Sequence, residues 1–498
     1  MGDSRPAATE SRRGRRAAPR ARARSFGSRT AVASAVAVAA TVAVAAMVPA
    51  RQATQAAVHP PKLAGLTDVT LVCPPNEFAK ATTLLASGPG VAGDVQVALL
   101  GETPAAVAVT GAAAVTIPTG GAGARVSAAG EVAAGLSAGT VGAKPLAGTS
   151  CQNPEPDHWF SGLGASPRHS TRLMLINPDP GPAVADLTVY GSLGVVDAPE
   201  LRGVAVPGGE SVVLDLAARL PSRGALGVHV ATVRGRLGVF AADAVDDLGR
   251  GEARREWIAP STRASATSLI PGLAGSDGTQ VLTLLNPGDS QAVVTLKILT
   301  DSSSFTPAEG AQVEVPATAV VEVTLTSALS ASAARGALGI EIDSSQPLVS
   351  ALRSATPKDL AWSVDADPID GGLTESGAAF LGARPAKGEA VLALAAISTG
   401  SGRTGKASAT VQGFSSAGDV VLQKELALAT GLGTKLKLPE TVTWVWVTVS
   451  ADTAAGGLRV SGAVRIEGTA GVTVLPLTPV ASEQRVPHVS AGSDLLAP

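Results

Sequence analysis

The sequence predicts an all-β chain: tandem immunoglobulin-like or fibronectin-like β-sandwich repeats behind an N-terminal transmembrane helix. Three observations carry this reading. The chain repeats itself at a near-constant offset, short alternating runs lie between turn residues, and one uncharged stretch follows an arginine-rich start. Ile176-Asn177-Pro178 recurs as Leu285-Asn286-Pro287, an offset of 109. The same offset carries Val204, Val206 and Pro207 onto Val313, Val315 and Pro316, and Leu214 and Leu216 onto Val323 and Leu325. Arg223-Gly-Ala-Leu-Gly227 returns as Arg335-Gly-Ala-Leu-Gly339 at an offset of 112, so a short insertion lies between. A fainter third copy, at an offset of 222 from the first, puts Val189 on Val411, Val204 on Leu426 and Leu216 on Leu438. A period of roughly 110 residues is too long for a solenoid unit and suits a whole sandwich domain.

The elements follow in order. Residues 1–30 hold nine arginines against Asp3 and Glu10 and read as a basic cytoplasmic arm. Ala31 to Val48 runs without a charge. As a helix it reaches ~27 Å, enough to span a bilayer core. The arginines ahead of it hold the N-terminus inside. Residues 31–50 are therefore expected to be a signal anchor that engages the lipid bilayer and leaves the C-terminal bulk outside. Val48-Pro49-Ala50 keeps cleavage open, in which case the protein is secreted.

Residues 51–62 read as a spacer ending in Pro60-Pro61 and Lys62. Residues 63–155 read as a degenerate β domain, with Val69–Cys73, Val95–Leu100 and Val107–Thr110 as strands. Repeat one covers 156–262. Leu173–Ile176 is a strand that Asn177-Pro178 stops, because proline cannot pair inside a central ladder. Leu187–Tyr190 alternates, and Val212, Leu214 and Leu216 share one face. Leu226–Ala231 and Leu237–Ala242 are expected to pair as a hairpin around Arg234-Gly235. Repeat two covers 263–374 and repeat three 375–481, where Val442–Val449 is apolar on both faces and so central in its sheet. Residues 482–498 read as a tail.

Hydrophobic content is 45% but aromatics only 3%, so cores must be built from small and β-branched side chains. Beyond residue 30 there are 30 basic and 39 acidic residues. That acidic balance argues against nucleic acid as a partner. Cys73 and Cys151 are the only cysteines, both on the exported side. An even pair in an oxidising compartment is most simply a disulfide, worth roughly 4.5 kcal/mol by loop-closure entropy, against the alternative of two free thiols.

No motif carries chemistry in its required context. Gly135-Leu-Ser137-Ala-Gly139 has the nucleophile-elbow spacing, but Gly139, Gly142 and Pro145 forbid the helix that must follow. Gly88-Pro-Gly90-Val-Ala-Gly93 reads as a turn rather than a dinucleotide loop. His59, His158, His169, His229 and His488 lack zinc-ligand spacing. His158 and His169 are the two that could approach Asp157. His229 falls on the polar side of its strand, aligned with Glu341 and Thr448. Asp365-Ala-Asp367-Pro-Ile-Asp370 reads as an acidic loop, with calcium as the alternative. Trp257 and Trp362, near the ends of repeats one and two, read as core or interdomain plugs rather than sugar platforms.

The basic arm and Ala/Val-rich anchor, Cys73 and Cys151, Pro156-Asp-His-Trp-Phe160 and the two Leu-x-Leu-x-Asn-Pro strands together resemble an uncharacterised family of actinobacterial exported proteins. Twenty-nine arginines against ten lysines fit a GC-rich genome. The resemblance implies location and no activity. The expectation is a non-catalytic scaffold or binding protein of the cell envelope, without cofactor or metal. Its partner is an envelope protein or polysaccharide, met around Trp159, Phe160 and His158. The alternatives are a polysaccharide-binding accessory to an envelope enzyme and a cryptic hydrolase.

The anchor is testable directly. Fractionated cells should hold the protein in the membrane with residues 1–30 attached. A mature chain starting at Arg51 in the medium would refute the anchor.

Overall fold

The computed structural model describes residues 62–486 except 79–80, 122, 221–222, 250, 276–277, 370–373, 383–387, 399–405 and 452–457. The basic arm, the apolar segment 31–50, most of the spacer and most of the tail lie outside the described residues. Residues 61–487 form one compact unit.

That unit is all-β, as the short Val- and Ala-rich runs require. After β1 (Lys62–Gly65) come β2 (Asp68–Cys73), β3 (Ala81–Ala86), β4 (Ala92–Leu99), β5 (Ala105–Thr110), β6 (Val115–Ile117), β7 (Ala124–Ala129), β8 (Ser137–Ala143) and β9 (Leu146–Ser150). They build two sheets ordered β2-β7-β4-β5 and β6-β3-β8-β9. Leu71, Leu85, Val95 and Val126, drawn from both sheets, fill one core, so this is a sandwich. The Cys73–Cys151 disulfide sits in that core and ties the end of β2 to the segment after β9.

A second unit holds β10 (Asp157–Ser166), β11 (His169–Ile176), β12 (Ala183–Gly191), β13 (Gly194–Val196), β14 (Val204–Val206), β15 (Ser211–Asp215), the single-turn helix α1 (Leu216–Arg219), β16 (Arg223–Arg234), β17 (Gly238–Val245) and β18 (Arg254–Ile258). A third holds β19 (Ser265–Pro271), β20 (Thr279–Leu285), β21 (Ala292–Leu299), β22 (Ser304–Phe305), β23 (Val313–Val315), β24 (Val320–Thr324), α2 (Thr326–Ser330), β25 (Gly339–Ala355) and β26 (Leu360–Val364). A fourth holds β27 (Thr374–Phe380), β28 (Glu389–Ser398), β29 (Lys406–Phe414), β30 (Val420–Ala429), β31 (Leu432–Leu438), β32 (Trp444–Ala451), β33 (Leu458–Gly468), β34 (Gly471–Pro476) and β35 (Thr478–Ala481), followed by β36 (Glu483–Val486).

One pairing scheme recurs in all four. β10, β19 and β27 pair with β16, β25 and β32 as β2 pairs with β7. β11, β20 and β28 are flanked as β3 is by β6 and β8. The segment read as a degenerate domain is therefore a fourth copy of the same strand order. Register agrees with the sequence offsets: His229 lies opposite Thr188, Glu341 opposite Lys297, and Thr448 opposite Thr410.

The Asn-Pro corners repeat atom for atom. Asn177 is fully buried, and its Nδ2 donates to the carbonyls of Gly181, Val206 and Pro207 while Oδ1 accepts from Asp179 N. Asn286 makes the same four bonds to Ser290, Val315, Pro316 and Gly288, every partner displaced by the offset that separates the two asparagines. The corner satisfies backbone groups that proline and the sheet switch leave without ladder partners.

Three expectations are corrected. The expected hairpin around Arg234-Gly235 does not form: β16 pairs with β10 and β12, and β17 with β11 and β18. Gly235, at φ 76, turns the chain from β16, beside β10 and β12, to β17, beside β11 and β18, farther along the same nine-stranded sheet. In the third unit the same passage is the continuous strand β25, whose first half serves one sheet and whose second half serves the other. Leu216 ends no strand. It opens α1, whose N-terminal N–H groups are capped by the Asp215 carboxylate. The tail begins as structure, since β36 pairs antiparallel with β1.

The units close a ring. β9, β18, β26 and β34, each the outermost strand of its sheet, touch one another in sequence, and β34 returns to β9. Trp257, packed with Phe78 and Phe240, plugs the first joint, and Trp362 plugs the second. Leu269, Leu299, Ala395 and Ile397 fill the third. Trp444, stacked on Phe414 and Phe380, fills the fourth and donates to the Ala112 carbonyl at 2.8 Å. This explains why Val442–Val449 is apolar twice over. Val445 and Val447 face the sandwich core, and Trp444 faces the neighbouring unit.

Asn177→Ala or Asn286→Ala should lower stability by on the order of 2–4 kcal/mol, because buried carbonyls lose their donor. Urea unfolding checks this, and a change below roughly 0.5 kcal/mol at both positions would show that the corners are ornamental.

Candidate functional site

The ring axis concentrates buried acids. Glu256 on β18 is wholly buried, and its Oε1 accepts from Trp257 N at 2.8 Å and from Gly148 N of β9 at 3.1 Å. Burial drives its carboxyl well above the ordinary range, with the β34 hydroxyl of Thr473 pulling back. Asp359, just before β26, accepts from Val472 N of the fourth unit. Burial raises it to about 6 against the Val472 and Leu360 amides and the Arg254 charge. One acid thus joins the first and second units, and another joins the third and fourth.

At one end the axis opens into a cavity of ≈ 290 Å³. Every unit contributes the end of its axial strand or the stretch just after it: residues 149–153, 259, 260 and 262, 364–367 and 476–479. The lining carboxyls are Glu155, Asp365 and Asp367. Burial raises Glu155, and Asp367 and then Asp157 add to the shift. Burial raises Asp365 to about 6, opposed by Arg459 at 3.8 Å and by the Leu269 amide. Asp367 accepts from Thr262 Oγ1 at 3.0 Å. His158 also lines the cavity, is only 3% exposed, and has an Nδ1 without a partner among the described residues. Burial lowers it to about 4, so the ring is neutral at pH 7. A buried polar atom left unpaired costs free energy unless something else completes it.

The structure divides the three residues Trp159, Phe160 and His158. Trp159 points to the face of β10 opposite that of His158 and Phe160, which follow one another along the buried face. Phe160 is in the core of the second unit, and Trp159 stacks on His229 with ring centroids 3.7 Å apart. Only His158 reaches the cavity. Of the acidic loop, Asp365 and Asp367 line the cavity and Asp370 lies outside the described residues. No group of three or more His, Cys, Asp or Glu among the described residues is placed to hold a metal ion.

The other candidates resolve into structural roles. His229, rather than His169, meets Asp157, at 2.7 Å. His169 instead faces Asp243, which is buried and accepts from Thr171 Oγ1 at 2.6 Å and Trp362 Nε1 at 3.0 Å. Arg353 Nη1 lies 2.8 Å from His169 Nδ1 and 3.4 Å from its Nε2. Both ring nitrogens are engaged, and the cluster clamps the second unit to the third. Ser137 is buried at the start of β8, with no helix after it. Gly88-Pro-Gly90 is the turn between β3 and β4, with Gly90 at φ 85.

A larger hollow of ≈ 600 Å³ between the third and fourth units is lined by Arg335, Lys435, Arg465 and Glu389. Lys435 and Arg465 are already paired there with Asp301 and Glu467. Sequence reasoning missed Glu155, Asp243, Glu256 and Asp359. Each acts on a group in another unit or a distant strand, so no local spacing announces it.

The architecture defines a closed ring of four like β units with an acidic axial cavity. The chain belongs to a family of unknown function, DUF5719, whose match spans residues 105–439. No curated protein matches it. Among solved structures it is similar to a glycosyl hydrolase family 2 member from Bacteroides cellulosilyticus DSM 14838, at 8% identity and a TM-score of 0.11, over 43% of this chain and 28% of that one. It is also similar to a structure of infectious bursal disease virus Gx strain, at 9% identity and a TM-score of 0.12, over 88% and 87%. Neither likeness carries an argument. The chain spans under a third of the glycosyl hydrolase's length.

Glu256 gives a pH signature. The folded chain keeps this proton above the pH at which the unfolded chain, with a value near 4.5, has lost it. Its contribution to stability is therefore complete below about 4.5 and is lost as pH rises through the folded value. Glu256→Gln, which keeps the acceptor, should match the native protein in Tm at low pH and exceed it at pH 8. Parallel Tm–pH curves for the two would refute a buried neutral acid.

Proposed function

We propose that this chain is a non-catalytic binding protein of the cell envelope. Residues 31–50 anchor it, the ring of immunoglobulin-like or fibronectin-like sandwiches stands outside the membrane, and the axial cavity takes the ligand. The observation that carries the reading is convergence: four distant segments, one per unit, supply a single cavity with a buried histidine nitrogen left unpaired. The Arg-rich arm before the uncharged stretch Ala31–Val48 supports the anchor.

The aromatic side chains support a ligand other than a stacked sugar. Trp257, Trp362 and Trp444 are buried in joints, and no Trp, Tyr or Phe lines the cavity.

Thr478→Trp should fill the cavity from its wall while leaving the ring folded, as thermal unfolding would verify. Immobilised full-length chain in detergent should then retain an envelope component that the variant does not. Equal retention by both proteins would move the function to the outer surface and overturn the proposal.

A further inference from the structure

We propose that the axial cavity binds a primary ammonium group carried on a short alkyl chain. This rests on the reading of that cavity as the ligand site, and it names the ligand's chemistry.

Charge comes first. Glu155, Asp365 and Asp367 line the cavity, and no lysine or arginine does. Arg459 stands behind Asp365 at 3.8 Å and is held by the Thr267 carbonyl at 2.6 Å, outside the lining. After burial, the Asp367 charge adds to the cost of ionising Glu155. A cation between them relieves that repulsion.

The second observation is independent of the acids. His158, 3% exposed, lines the cavity with its Nδ1 unpaired. Burial keeps the ring neutral, so one nitrogen is an acceptor. Carboxylate oxygens and an imidazole nitrogen supply acceptors, which suit a group with several N–H donors, and the unpaired Nε2 of Gln152 lines the same cavity as a donor beside them.

Two alternatives fail on geometry. A bare divalent ion needs several ligands converging at bonding distance, and no such group of three exists among the described residues. A guanidinium or aromatic cation would lean on flat aromatic walls, and the walls here are Pro260, Pro476 and Pro479. Those apolar rings suit methylenes. The volume of ≈ 290 Å³ is at the small end of ligand cavities, about the size of an aminoalkyl chain.

Calorimetry on the full-length chain in detergent tests this with 1,5-diaminopentane, 1-pentanol, pentanoate and calcium chloride. The diamine should bind, and the neutral and anionic analogues should bind at least tenfold more weakly. Asp367→Asn and Glu155→Gln together should weaken the diamine at least tenfold. Nα-acetyl-lysine amide separates two sources of the same chemistry: tighter binding than the diamine assigns the ammonium to a polypeptide side chain, and weaker binding to a free amine. Equal affinity for 1-pentanol, indifference to the double variant, or displacement of the diamine by micromolar calcium would each overturn the ammonium assignment. If envelope retention is lost in Thr478→Trp yet no amine binds, the cavity stands as the site and the ligand class is wrong. If Thr478→Trp retains its partner, the site itself is wrong.

Discussion

An exposed sheet edge is a template for pairing with another chain. Each of the four units has such an edge at its last axial strand: β9, β18, β26 and β34. The ring turns all four inward against one another, and the rest of the molecule follows from that arrangement. It forces small residues onto the axis, where Gly148 faces Glu256. It strands backbone N–H groups that acids must satisfy, as Glu256 does for Gly148 and Asp359 for Val472. It also leaves a cavity where the four strands end.

The poverty in aromatics becomes intelligible at the joints. A few large rings are received by glycines rather than interdigitated among other large side chains. A methyl group on Gly162 would stand 2.7 Å from Trp362, and one on Gly227 would stand 2.6 Å from Leu285. The repeated Arg-Gly-Ala-Leu-Gly segment thus owes its last glycine in the second unit to the neighbouring unit as well as to its own strand. Close packing across the joint is the physical reason that the four units form one compact body.

Much of the fold was legible because the repeat preserves chemistry as well as hydrophobicity. Asn177 and Asn286 stand in the same hydrogen-bond net, so their spacing is a measure of structure. The first unit was harder to read. It lacks the Asn-Pro corner, and its Ala/Gly-rich strands carry little alternation. The hairpin error at Arg234-Gly235 has a similar origin: two β runs around a glycine look alike whether the second pairs with the first or moves on to other partners in the sheet. Of the candidate site, His158, Asp365 and Asp367 were visible singly. Their meeting was not, because residues so far apart in the chain become neighbours only when the ring closes.

The pairing of β1 with β36 carries a consequence for how the molecule is made. Lys62 lies opposite Val486, so the first of the described strands waits for the last of them to be synthesised. Each sandwich is local enough to collapse as it emerges, but ring closure is a non-local event of the highest contact order in the chain. During biogenesis the protein is therefore a string of folded beads whose axial edges are still open. The same ribbon joins residues 62–65 to residues 483–486, so a pull on either end of the described chain loads both ends of the ring together.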